Sequence, residues 1–170
     1  MDSGVAAVIG AAVGVVGTAL AAGVAGLSAQ RQVTAEHRHW RRQLRRDAYS
    51  AFTAKADELH RMLKEINAEL SRPGADLDAA RERLAAAGGV RRGGLADAQA
   101  TVEIEGPEKL ARMAEELTRS LAVCIVIFNA GARRQGDSSV ADENLRRRSL
   151  EHALSKRAQF VDQARRTIDV

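Results

Sequence analysis

Residues Gly4 to Leu27 make a run of 24 without one charged side chain, and the arginines begin just beyond it at Arg31. At about 1.5 Å per residue such a run is roughly 36 Å of helix, enough to cross a hydrocarbon core of about 30 Å with some tilt. Ile9, Leu20, Leu27 and six valines supply the hydrophobicity, and Ala and Gly fill most of the remainder. A buried helix of a soluble bundle is usually shorter and keeps a polar face; this run has none. Ala19-Leu-Ala21 resembles a signal-peptide cleavage site, but such peptides open with a basic region, and this sequence opens Met1-Asp2-Ser3. The run therefore reads as a single transmembrane helix within residues 1–30.

Orientation follows from the flanks, because basic residues are retained on the cytoplasmic side during insertion. Arg31, Arg38, Arg41, Arg42, Arg45 and Arg46 all follow the run, whereas only Asp2 is charged before it. The expectation is a single-pass protein of the cell membrane with its N-terminus outside and its body in the cytoplasm. Within the run, Ala6, Gly10, Gly14, Thr18, Ala22 and Gly26 recur every four residues. On a helix they form one stripe of small side chains, which lets backbones approach closely where lipid gives apolar helices little reason to associate. The stripe is expected to bring copies of the chain together, although a span of Ala, Gly and Val yields this spacing by composition alone.

The net charge of +4 points to nucleic acid only until it is located. Residues 31 to 46 hold six arginines against Glu36, while residues 47 to 170 hold 20 basic and 20 acidic residues. The excess thus lies beside the run, where anionic headgroups attract each basic residue by about 1 kcal/mol. Lipid explains the charge more simply than DNA. On a helical wheel Arg31, Arg38, Arg42 and Arg45 fall within about 60° of arc, with Arg41 and Arg46 at the edges and Val33, Trp40, Leu44 and Ala51 roughly opposite. Trp40, about 20 Å beyond Leu27 on a straight helix, is too far for an interfacial anchor and is expected to pack in a bundle.

Beyond the run the composition favours helix: aromatics are 3%, there are two prolines, and alanine is abundant. Only four of the 26 basic residues are lysine, a bias that hints at a bacterial source. Leu44, Ala48, Phe52, Ala56, Leu59, Leu63, Ile66 and Leu70 form a bundle-facing stripe ended by Ser71-Arg72-Pro73-Gly74. A second helix is expected over 77–104, broken at Gly88-Gly89-Val90-Arg91-Arg92-Gly93-Gly94. Pro107 opens a central helix over 107–130 with Leu110, Met113, Leu117, Leu121, Cys124, Ile125 and Phe128 at packing intervals. Val123 to Phe128 is apolar on every side, so enclosure by neighbours or a second subunit is expected. The last helix, 140–168, offers Leu145, Leu150, Leu154, Ala158, Val161, Ala164 and Ile168 to the core, with Phe160 at the border. The fold class is all-α: a membrane helix continuing through a long helix, 31–71, into an antiparallel four-helix bundle.

The run Trp40-Arg-Arg-Gln-Leu-Arg-Arg-Asp-Ala-Tyr49-Ser-Ala-Phe52, with Val102-Glu-Ile-Glu-Gly-Pro107 opening an apolar helix later, resembles a large group of actinobacterial helical-bundle proteins that often carry one N-terminal span. The resemblance covers residues 1 to 130 loosely and implies a fold and no activity.

Chemical sites are sparse. His37, His39, His60 and His152 contain no pair spaced to hold a metal on one helix face, and Glu36-x-x-His39 lacks the second such motif that a di-iron bundle needs. The Gly88 to Gly94 loop follows no strand and lacks the lysine-hydroxyl pair of a phosphate loop. Cys124 sits in an apolar run as a small hydrophobe. No catalytic residue, metal or cofactor is expected, and the chain reads as no enzyme. It reads as a membrane-anchored helical interaction or assembly module whose partners are membrane lipid, a second copy and a cytoplasmic protein. A membrane-active or pore-forming protein is the alternative, followed by nucleic-acid binding through the arginines.

Overall fold

The computed structural model describes residues 39–133 and 140–168, every one of them in a helix or a short connection. The chain divides between Gln43 and Leu44 into two units. Of the first, residues 39–43 are described, and they are helical and exposed. Gly4 to Leu27 lies outside the described residues, and among those described no helix is long and apolar enough to cross a membrane.

Helix α1 occupies 39–70, with the unit division falling inside it. Ala48, Phe52, Ala56, Leu59, Leu63, Ile66 and Leu70 are all buried, so the steps of four and three expected from the sequence do face a core. The turn after α1 needs glycine: Gly74 has φ +72°, a left-handed conformation that a side chain would strain. Asp76 then caps the next helix, its Oδ1 accepting from the backbone N–H groups of Asp78 and Ala79 at 3.0 Å each.

Helix α2 (Leu77–Val90), a π-helical turn (Arg91–Leu95) and α3 (Ala96–Glu105) follow one another without an intervening loop. The glycine run was expected to break the helix, and the structure corrects this. Glycine costs a helix interior about 1 kcal/mol relative to alanine, yet Ala80, Leu84, Ala87, Leu95 and Val102 on either side of the run are fully buried, and both α2 and α3 pack against the following helix. Tertiary burial overrides the local preference, and the disturbance is confined to one widened turn.

Gly106 separates α3 from α4 (Glu108–Arg133). Its backbone is extended, so its conformation would suit any residue, but an added Cβ would lie 2.7 Å from the Val102 carbonyl oxygen and 3.2 Å from the Tyr49 hydroxyl. Two arginines terminate helices here by reaching free carbonyls. Arg45 Nε donates to Glu105 O at 2.9 Å, and Arg81 Nη2 donates to Ala132 O at 2.9 Å.

Helix α4 packs against α2, α3 and α5 (Val140–Ile168). Leu110, Leu117, Leu121, Cys124, Ile125 and Phe128 are buried as expected. The face of α5 is only in part the expected one: Leu150 and Ala164 are buried and Val161 and Ile168 pack against the core. Leu145, Leu154 and Ala158 are exposed, while Arg146, Leu150, Ala153, Phe160 and Ala164 point inward. The inward set keeps helical steps of four and three if the arginine is admitted to it; counting only apolar residues finds Leu150, Val161, Ala164 and Ile168 but adds Leu145, Leu154 and Ala158 from the exposed flank.

Two classes of glycine are thereby separated. Nothing lies within 4 Å of a Cβ built on Gly89 or Gly93. Gly89→Ala and Gly93→Ala should each raise stability by about 0.5–1 kcal/mol, whereas Gly106→Ala should lower it by about 1–3 kcal/mol. Denaturant midpoints of the purified full chain check both signs.

Candidate functional site

The arginine face divides. Arg41, Arg42 and Arg46 are exposed, but Arg45 is half-buried and its Nε is committed to the end of α3. Arg31 and Arg38 lie outside the described residues, as does the whole small-residue stripe of Ala6, Gly10, Gly14, Thr18, Ala22 and Gly26. Trp40, expected to pack, is 61% exposed; Ala51, on the same side of the wheel, is exposed and Leu44 half-buried. The core starts at Ala48, two turns later than the wheel placed it. The start of the described chain therefore presents an indole beside exposed arginines.

A second surface lies between α4 and α5. A groove of about 520 Å³ is lined on α4 by Ser120 and Val123, and on α5 by Leu145, Arg148, Ser149 and His152. The Lys156 Nζ–Glu116 Oε2 ion pair, 2.7 Å long, links the two helices at one end. Val123, at 49%, and Leu145, at 51%, are exposed. The all-round apolar stretch of α4 is thus left partly uncovered within one copy of the chain.

Inside the bundle, Arg146 is only 2% exposed. Its Nε donates to Asn67 Oδ1 at 3.0 Å, and its Nη2 has no hydrogen-bond partner among the described residues. Gly131 makes room for it: an added Cβ there would stand 3.2 Å from Nη1. Further along α1 and α5, Asp57 accepts from Nε and Nη2 of Arg157, the latter at 2.6 Å. One turn beyond Asp57, the half-buried His60 has no hydrogen-bond partner for Nε2. Burial pushes its pKa down, and the nearby Asp57 carboxylate only partly offsets this. Cys124 is buried and unpaired, its thiol pushed up by desolvation, the opposite of an activated nucleophile.

Among the described residues no group of three or more His, Cys, Asp or Glu side chains could hold a metal ion. No family model, no curated protein and no solved structure matches this chain. The surfaces themselves must carry any functional reading. Sequence reasoning missed the buried Arg146, the cap made by Arg45 and the α4–α5 groove. The signal for Arg146 was present as a position in phase with Leu150, Ala153, Phe160 and Ala164; the groove needed the α5 face to be right.

The His60 environment gives a pH dependence with a definite sign. Its folded pKa lies below the ordinary 6.5, so above that pH both folded and unfolded chains hold it neutral and it has no effect on stability. As pH falls below 6.5 the unfolded chain takes up a proton that the fold resists, and stability is lost down to the folded pKa. Glu58 and Glu116, held below their ordinary 4.5 by Lys55 and Lys156, act in a separate, more acidic window. Thermal melts at about pH 7.5 and about pH 5 should show a fall that is smaller in His60→Gln; an equal fall would remove His60 as the cause.

Proposed function

We propose that this chain is a membrane-anchored helical module for interaction or assembly. The observation that carries the reading is the charge-free run Gly4 to Leu27 followed directly by arginines on one flank. The exposed Arg41, Arg42 and Arg46 support it, since anionic headgroups attract basic side chains on the cytoplasmic flank of a span. In this reading the run spans the membrane once with the N-terminus outside, and the bundle stands in the cytoplasm to receive a protein partner. The stripe from Ala6 to Gly26 brings spans of two copies together. Lipid attraction belongs to Arg41, Arg42 and Arg46 with Arg31 and Arg38, while Arg45 contributes chiefly by capping α3. The resemblance to single-span actinobacterial bundles agrees with this arrangement.

Anchoring and self-association should be separable. Replacing Gly10 and Gly14 together by Leu should leave the protein in the membrane fraction, because hydrophobicity rises, while lowering crosslinking between copies. Replacing Arg41, Arg42 and Arg46 by Gln should leave crosslinking intact and weaken recovery on anionic vesicles by about 1 kcal/mol per residue. Unaltered crosslinking in the glycine variant would show that the stripe does not bring copies together. Recovery of the parent protein in the soluble fraction would refute the anchor.

A further inference from the structure

We propose that a groove between α1 and α5 binds a phosphate monoester, with Arg46 on one bank and Arg165 on the other closing on the phosphate. Every residue of this site belongs to the bundle, so it stands whether or not Gly4 to Leu27 spans a membrane.

Geometry brings the two arginines together. Helices α1 and α5 run antiparallel, since Asn67 meets Arg146, Asp57 meets Arg157 and Phe52 meets Phe160 in turn. Carried on toward the start of α1, that register sets Arg46 level with Thr167 and Arg165 level with Ala48, to within a residue. The two arginines therefore lie within about three residues of each other along the axes, roughly 5 Å. Both are exposed, and both line one groove of about 480 Å³ whose floor includes the buried Tyr49 and Ala164. Arg46 keeps phase with Ser50 and Thr53 on the α1 bank, and Arg165 with Val161 and Ile168 on the α5 bank. Packed helices stand about 8–10 Å apart, a width that two arginine side chains cover from opposite sides.

Charge gives the ligand its sign. Among the described residues neither Arg46 nor Arg165 has an ion-pair or hydrogen-bond partner, whereas the basic side chains beside them do. Arg45 donates to Glu105 O, Arg157 is held by Asp57, and Arg166 pairs with Asp162 at 2.7 Å. Asp57 is the one carboxylate lining the groove; it is committed to Arg157 and lies eleven residues, about 16 Å of helix, from Arg46. Two guanidinium groups thus face one space with no anion between them, and a ligand that places negative charge there relieves their mutual repulsion.

The two banks select among anions. A carboxylate presents one edge of two oxygens and takes one guanidinium fork through two parallel hydrogen bonds. A phosphate monoester carries a charge of about −1.5 to −2 at neutral pH and three terminal oxygens, so it accepts from forks on opposite sides at once. Val161 and Ile168, which pack against the core and line the same groove, offer an apolar wall to the carbon part of the ester. A nucleic-acid strand would need basic residues continuing along the groove, and beyond the arginine pair it turns to hydroxyls, alanine and the acidic Asp57.

The test uses the full chain in maltoside micelles, which contain no phosphate, with glycerol 3-phosphate as the probe and succinate at equal ionic strength as the dicarboxylate control. Modification of each arginine by phenylglyoxal is followed by peptide mass spectrometry. Glycerol 3-phosphate should slow Arg46 and Arg165 together by about three- to fivefold, with a common midpoint, and leave the exposed Arg112 and Arg166 unchanged. Succinate should protect the pair less. Arg165→Gln should abolish protection of Arg46, and Arg46→Gln that of Arg165; both positions are exposed, so the fold should tolerate the changes, which circular dichroism verifies. Phosphatidic acid added to the micelles separates two sources of the phosphate: protection at a lower bulk concentration than the soluble ester needs assigns it to a lipid headgroup, and protection by the soluble ester alone assigns it to a free ester. No protection by either phosphate, equal slowing of every exposed arginine, equal protection by succinate, or protection of Arg46 that survives Arg165→Gln would each overturn the proposal.

Discussion

Phe160 stands edge-on to Phe52 with ring centroids 4.9 Å apart, joining the last helix of the chain to the first. Tyr49 meets the same ring at 6.2 Å, again edge to face. The sequence has three phenylalanines, and all three are fully buried. A core otherwise built of Leu, Ile, Val and Ala has few large side chains with which to fix register, so these rings carry a disproportionate share of the apolar area. With Phe160 turned inward, helical geometry also sends Ala153 and Ala164 inward and leaves Leu154 outside. The exposure of Leu145 and Leu154 on the α5 side agrees with that rotation.

The same rotation brings Arg146 into the interior. A buried guanidinium is costly unless its donors are matched, and here Asn67 of α1 takes one of them while Gly131 of α4 leaves the space. Arg146 therefore ties three helices to one point and specifies how α5 is set, a role that a leucine in its place would not perform. Arg45 and Arg81 act in a related way at helix ends, each donating to a carbonyl that its own helix leaves free. Arginine in this chain is a structural residue at three positions as well as a source of surface charge, and a reading that counts it only as charge misplaces it.

That distinction explains what could be read in advance. The all-helical class and the inward face of α1 and α4 were legible, because Ala48 to Leu70 and Leu110 to Phe128 carry unbroken apolar stripes and because proline and glycine punctuate 71–74 and 106–107. The glycine run at 88–94 was misread because local preference argued for a loop, while burial of Leu84, Leu95 and Val102 holds it as helix. The α5 face was read only in part, with Leu150 and Ala164 right, because its inward stripe also contains Arg146 and Ala153 while Leu145 and Leu154 lie on the exposed side. Trp40 was assigned to packing from the wheel and from its distance past Leu27, although neither gives the point at which neighbours begin. The α4–α5 groove could not be found from sequence, since it needs two helices at known rotation.

The rotation of α5 can be measured with the chain's own chemistry, because Cys124 is its single cysteine and is buried. Ala153→Cys and Leu154→Cys place a second thiol on adjacent residues about 100° apart around the helix, the first buried and the second exposed. In the native full chain, alkylation of the Leu154→Cys thiol should run at nearly the rate seen in denaturant, while the Ala153→Cys thiol should stay as protected as Cys124. Rapid reaction at 153 together with protection at 154 would contradict the account, and would return α5 to the leucine-facing arrangement in which Arg146 is a surface residue and the groove does not exist.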